Sequence, residues 1–376
     1  MIAGCGCDGV FRAASSRKDA GDAAVKGKKK SRSDVRSNAG RLVTEEEPLD
    51  RNRIQHNAGV LTARLPRPWR ATQRALPIVA TLLPELPDLV VYAESLEARI
   101  CGERLERVRI LNPFVLRTVV PPLEAAQGKR VSGVRRLGKR IVLAVEGELY
   151  LVLHLMRAGR LRWLAKGAKP PGRSTLAVLD FPEGVLAFAE AGTKRRASLH
   201  LVHGAAALAS FDPGGVEVLE TDLATFAGKL RGENHTLKRA LTTPSLFSGI
   251  GGAYSDEILF HARLSPVALT QNLADDEVAR LHAAARAVLT EWTTRLRGEA
   301  RSGFPDKVTA FREAFAVHGR FGAPCRVCGA PVQRIVYADT ETNYCARCQT
   351  GGKILADRAL SRLLHQSWPR SIDELE

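Results

Sequence analysis

The sequence predicts an α+β protein: a strand-rich N-terminal half, a helical C-terminal half and a small metal-binding hairpin at the end. Three observations carry this. "RIVLAVEGELYLVLHL" (140–155) and "STLAVLDFPEGVLAFAEA" (174–191) each read as two apolar strands around a short turn. From Asp222 onward apolar residues recur at helical spacing. Two Cys-x-x-Cys pairs, "CRVC" (325–328) and "CARC" (345–348), stand 16 residues apart, the spacing at which a hairpin brings four thiolates around one tetrahedral ion.

Residues 1–82 hold "KGKKKSRSD", then acidic "TEEEPLD", then "ARLPRPWRA", with no sustained period of 2 or 3.6. The segment carries sixteen Lys or Arg against eight Asp or Glu, about half of the chain's net charge of +16. It reads as disordered, or as upstream sequence joined to a protein that starts later. Pattern begins at "LLPELPDLVVYAESL" (82–96). Helical spacing predicts a helix over 88–104, followed by the strands of a domain spanning 84–210. "FDPGGVEVL" (211–219) reads as a linker.

A helical domain is expected over 222–310. "LATFAGKLRG" is one helix, and "TLKRALTTPSLFSG" carries two short ones. "GIGGAYSDEILFHARLSP" (249–266) is a Gly-rich turn feeding a helix whose start is marked by Ser255 and acids and which stops before Pro266. "DDEVARLHAAARAVLTEWTTRLRG" is a longer amphipathic helix. A ribbon over 321–352 and a tail over 353–376 close the chain.

Among 376 residues, 45% are hydrophobic, enough for two cores. No apolar run approaches the roughly 20 residues that span a bilayer, and the first residues lack a signal-peptide pattern. The chain reads as soluble, cytoplasmic and monomeric. Its positive charge favours a polyanionic partner.

Four landmarks in order, "PELPD" (84–88), "GK" (138–139), "LK…GIGGAYSDEILFHARLSP" and the C-x2-C-x16-C-x2-C ribbon ending "CQ" (348–349), resemble the bacterial formamidopyrimidine-DNA glycosylases and their endonuclease VIII-like relatives. The resemblance covers about residues 84–350. It implies an N-terminal β-sandwich flanked by helices, a helix–two-turns–helix domain, and one structural Zn²⁺ on Cys325, Cys328, Cys345 and Cys348. The implied partner is nucleoid DNA, a duplex with a damaged base or abasic site. No membrane or organic cofactor is implied.

The implied activity is a bifunctional DNA glycosylase and AP lyase. Pro84 would be the nucleophile, Glu85 the proton donor and Lys139 a phosphate ligand. Lys238, Gly249, Gly251 and Tyr254 would hold DNA through the helix–two-turns–helix, with Asp88 and Glu257 in support. A proline amine reacts only when free, because an internal proline nitrogen is an amide. Met1 and Met156 are the chain's two methionines, so translation is expected to start at Leu83, whose codon would be read as Met, with maturation cleavage as the alternative.

Departures from the family pattern fall on groups that extrude the base. The Asn after the GIG turn is Gly252, the intercalating Met of "HLGMSG" is Arg157, and the ribbon Arg is Thr340. The loop "AGTKRRAS" (191–198) lacks the usual Phe. Arg157, Lys194 and Arg195 are the expected replacements. The rival reading is a non-catalytic binder of damaged or bent DNA, with Pro84 permanently inside the chain.

Overall fold

A computed structural model describes residues 84–191, 195–306, 312–337, 340–356 and 369–375. The expectations for residues 1–82 and Lys194 lie outside the described residues. No described helix is long and apolar enough to cross a membrane.

The first element is α1 (Leu86–Ile100). It starts and ends earlier than its periodicity suggests. Pro87 is compatible with a first turn, and the Gly102 N–H is drawn to the Val131 carbonyl at 2.8 Å, with Gly102 at φ +82°. Leu89, Tyr92, Leu96 and Ile100 form a stripe that enters the sandwich core.

Two four-stranded antiparallel sheets follow. One has the order β1 (Arg107–Ile110), β6 (Thr175–Phe181), β7 (Gly184–Glu190), β5 (Gly159–Leu164). The other has the order β2 (Val131–Leu137), β3 (Arg140–Val145), β4 (Leu149–His154), β8 (Ser198–His203). Both expected hairpins form, β3–β4 and β6–β7. The first turns through a three-residue loop, Glu146–Glu148, with Gly147 and Glu148 at φ 81° and 54°. The sheets share one apolar core with α1, the sandwich that the resemblance implies.

After the short α2 (Ala205–Ala209) the chain reaches the helical part. Its elements are α3 (Leu223–Arg231), α4 (Leu237–Thr242), α5 (Gly252–Ala262) and α6 (Asp275–Ala300). Only one of the two short helices expected in 236–249 forms. Thr243 leaves the helical region before Pro244, and a turn follows in which Leu246 and Phe247 donate to the Thr243 carbonyl. The expected linker is partly structural, since Val218 is fully buried in the helical core.

The ribbon hairpin pairs β9 (Gln333–Tyr337) with β10 (Thr340–Tyr344), and α7 (Ala346–Thr350) follows. Residues 369–375 return to it: Ile372 is buried in the ribbon core, and Arg347 pairs with Asp373 at 3.1 Å. This part of the expected tail belongs to the ribbon.

Leu86 sits in the helical core, while Leu89 and Tyr92 sit in the sandwich core. The N-terminus of α1 therefore lies where the two cores meet.

Candidate active site and nucleic-acid interface

Helix α5 has no cap of its own. Its N-cap residue is Gly251, and a helix start leaves N–H groups unsatisfied. The Glu85 carboxylate supplies the cap. It accepts the N–H of Gly251 at 2.6 Å, Ala253 at 2.8 Å and Tyr254 at 3.2 Å. Alongside, the Leu86 N–H donates to the Gly249 carbonyl at 2.9 Å. Ser255, expected to mark the helix start, lies inside the first turn, and its hydroxyl donates to the Gly251 carbonyl.

The glycines are needed for this contact. Gly249 has φ +77°, and a Cβ there would stand 2.9 Å from the Leu86 Cβ. A Cβ on Gly251 would meet the Glu85 carboxylate carbon at 2.5 Å. In this structure the group seated in the turn is the Glu85 carboxyl, and the glycines let α1 and α5 approach. Gly252 faces open space.

Glu85 is 2% exposed. Burial pushes its carboxyl above the usual range, opposed by Lys139 and by the N–H groups of Ala253 and Gly251. Lys139 lies in the Gly138–Lys139 turn between β2 and β3. Burial lowers its ammonium pKa, opposed by Glu85 and assisted by Lys238. One acid and two lysines thus share a field at the α1 N-terminus. Asp88 holds the approach to α1: its carboxylate accepts the Glu85 N–H at 3.0 Å and pairs with Arg312 at 2.8 Å.

Lys238, on α4, donates to the Gly252 carbonyl at 2.5 Å and to Asp256 at 2.6 Å. Asp256 also meets His318 at 2.7 Å. Glu257 accepts the N–H groups of Ala316, Val317 and His318 at 2.7, 3.0 and 2.9 Å. It ties α5 to the chain leading into the ribbon. Tyr254 is 1% exposed and packs edge-on against Trp292 and Phe315. Its ring belongs to the helical core.

Arg157 is exposed in the turn between β4 and β5, and exposed Arg195 donates to the Arg173 carbonyl at 2.9 Å. Thr340 starts β10 and is exposed, while Arg334 on the facing strand stacks over Phe321 at 4.2 Å. Arg312, Asp256, His318 and Arg136 escaped sequence reading. Arg136 reaches from β2 to Glu217 and to the Ser248 hydroxyl, and no local motif marks it.

The four ribbon cysteines bring their Sγ atoms within 4.8 Å of one another, with Cys325–Cys348 at 3.9 Å and Cys328–Cys345 at 3.4 Å. Tetrahedral Zn–S bonds of about 2.3 Å place sulfurs roughly 3.8 Å apart, so the set fits such an ion with no position left open. Gln349 ties the metal turn to the chain just after α5: its carbonyl accepts the Cys345 N–H at 2.8 Å and its amide donates to the Leu264 carbonyl at 3.0 Å.

Sandwich, capped α5 and four-cysteine ribbon define a zinc-finger protein of the helix–two-turns–helix class. Three family models match in sequence: "Formamidopyrimidine-DNA glycosylase N-terminal domain" over 83–196, "Formamidopyrimidine-DNA glycosylase H2TH domain" over 215–299 and "Zinc finger found in FPG and IleRS" over 322–351. The chain is 31% identical over 288 residues to a formamidopyrimidine-DNA glycosylase of Solibacter usitatus, covering 71% of this chain and 99% of the relative. Among solved structures, a Lactococcus lactis FPG variant in complex with Fapy-dG-containing DNA matches with TM-score 0.64 and 26% identity, covering 71% of this chain and 100% of that one. The Lactococcus lactis Fpg complexed with DNA containing an abasic site matches with TM-score 0.64 and 25% identity, covering 71% and 99%. The chain belongs to the formamidopyrimidine-DNA glycosylase family.

Proposed function

We propose that this chain is a bifunctional DNA glycosylase and AP lyase acting on duplex DNA with an oxidised base or an abasic site. The observation that carries the proposal is the seating of Glu85, the residue after Pro84, in the N-terminus of α5 at the junction of the two cores. Relatives of known complexes bind Fapy-dG-containing or abasic DNA, and the exposed Arg157 and Arg195 offer positive charge for phosphates here.

In this reading Pro84 is the first residue of the working protein. The first family model begins at residue 83, and nearly the whole length of the relative is matched within 71% of this chain. A terminal amine, with a pKa of roughly 7.7–8.0, is partly unprotonated at neutral pH. Its lone pair forms a bond to C1′ of the damaged nucleotide, the glycosidic bond breaks, and the departing base takes up the proton given off by the proline nitrogen. Glu85 delivers a proton to the ring oxygen, the ring opens and the iminium forms. Loss of a C2′ proton expels the 3′ phosphate, and a second elimination expels the 5′ phosphate. Water then hydrolyses the iminium and frees Pro84. Buried Glu85, pushed above its usual range, is suited to carry the proton. One Zn²⁺ would be held by Cys325, Cys328, Cys345 and Cys348 and would fix the ribbon, with all four positions filled by thiolates and none left for substrate.

Borohydride reduction on an abasic duplex tests this. A chain beginning at Pro84 is expected to form a covalent adduct, and one beginning at Met1 is not. No adduct from the Pro84 chain, with duplex binding intact, would leave a DNA-binding protein without catalysis.

A further inference from the structure

One end of the sandwich gathers several turns. Arg140 pairs with His154 across β3 and β4, and His154 with Ser198 across β4 and β8. In the other sheet Gly159 pairs with Glu190 and Thr175 with Ala189. The Lys139 turn, the Arg157 turn and the start of β8 therefore share this end, the one that carries Lys139 toward Glu85.

A further segment runs beside β8. Leu116 bridges Leu199 in parallel, the Arg117 N–H donates to the Leu199 carbonyl at 2.9 Å, and the Thr118 hydroxyl accepts the Leu201 N–H at 2.8 Å. Just before the Phe114 turn, the Leu111 and Asn112 N–H groups donate to the Leu176 carbonyl at 2.9 and 3.0 Å, which places the turn beside the start of β6, at the same end. Strands lie about 4.8 Å apart, so three steps from β3 set the Leu116–Thr118 segment on the order of 14 Å along the row from Lys139.

Phe114 is 76% exposed, yet it is held firmly. It sits in a 3-10 turn, Pro113–Val115, that begins with proline. The Asn112 side chain accepts the Phe114 N–H at 3.1 Å, and the Val115 N–H closes on the Asn112 carbonyl at 3.1 Å. Val115 is buried beneath it. Single exposed apolar residues are ordinary. Phe114 differs in its rigid presentation on the end that bears Lys139, Arg157 and Arg195. Val119 and Val120 follow Thr118 toward the opposite end and take no part.

A nucleotide rotated out of a duplex leaves a gap in the stack, and proteins that kink DNA insert apolar side chains between base steps. We propose that Phe114 is the wedge that enters the duplex beside the extruded nucleotide and keeps the gap open. This rests on the glycosylase reading for its substrate. Phe114 is a positioning residue; it touches no reacting atom.

The test uses the full chain and an abasic duplex with 2-aminopurine next to the lesion, whose fluorescence rises when it unstacks. Wild type is expected to raise the signal. Phe114→Ala is expected to cut the rise at least about fivefold, because unstacking a step costs a few kcal/mol, and Phe114→Leu is expected to retain most of it. An equal rise with Phe114→Ala overturns the proposal, as does no rise with wild type. A loss that Phe114→Leu shares in full also overturns it, since a wedge needs only apolar bulk. Borohydride trapping on the same duplex by chains beginning at Pro84 reads the chemistry separately. Trapping with unchanged fluorescence in Phe114→Ala removes the wedge alone, and a fluorescence rise without trapping removes the enzyme alone.

Discussion

At the scale of single residues, the site depends on a carboxylate and a glycine in contact. Gly251 is legible in sequence as part of a Gly-rich turn, but its reason is not. The nearest atoms to its missing Cβ belong to Glu85, 166 residues away. Gly251→Ala has an ordinary φ of −130°, so its cost is steric. Overpacking of this kind costs about 1–3 kcal/mol, and displacing Glu85, the proposed proton donor, should lower base release at least about tenfold. Urea unfolding and single-turnover base release measure the two effects. Unchanged activity would show that Glu85 does not need this seat.

His154 supplies a pH signature at the same scale. Burial first, then Arg140, Lys139 and His200, push its pKa down from 6.5 to about 4. A histidine depressed on folding opposes protonation of the native state. Its contribution is fully present above pH 6.5 and is lost as pH falls toward 4. Protonating it in the folded chain rather than the unfolded one costs up to about 3 kcal/mol. His154→Gln should flatten stability between pH 6.5 and 4.5, measured by urea midpoints at each pH. A slope as steep as wild type would assign the acid sensitivity to other groups.

Among elements, legibility follows how local the determinant is. The β3–β4 and β6–β7 hairpins, helix α6 and the ribbon carry their patterns within a few residues, and all form. The start of α5 could not be read, because its cap arrives from α1. The end of α1 differs from its periodicity because the Gly102 N–H is drawn to Val131, on β2. The burial of Tyr254 could not be read from its place after the turn, because Trp292 and Phe315, which pack against it, lie far along the chain.

The ribbon makes a prediction at this scale. Its core holds two of the four cysteines and includes Phe260 of α5 and Ile372 of the C-terminal segment. Metal binding and folding are therefore coupled here. One zinc per chain is expected by atomic absorption. Chelation should loosen the ribbon, reduce near-ultraviolet circular dichroism and weaken duplex binding at least about tenfold. A fully folded, DNA-binding chain without metal would contradict this.

At the scale of the molecule, α1 joins the two cores. Leu86 packs with the helical part, Leu89 and Tyr92 pack with the sandwich, and Arg297 of α6 pairs with Glu94 at 2.5 Å. Asp88–Arg312 and Glu257 extend the connection toward the ribbon. Pro84 therefore stands where the parts converge, and its chemistry turns on one covalent fact, whether its nitrogen is an amine or an amide. The most direct measurement is the N-terminal sequence of the protein purified from its own cells. Pro84 at the terminus is the expected result and makes the iminium route available. Residues near Met1 at the terminus of all the protein would contradict it, and the chain would then act on DNA by binding alone.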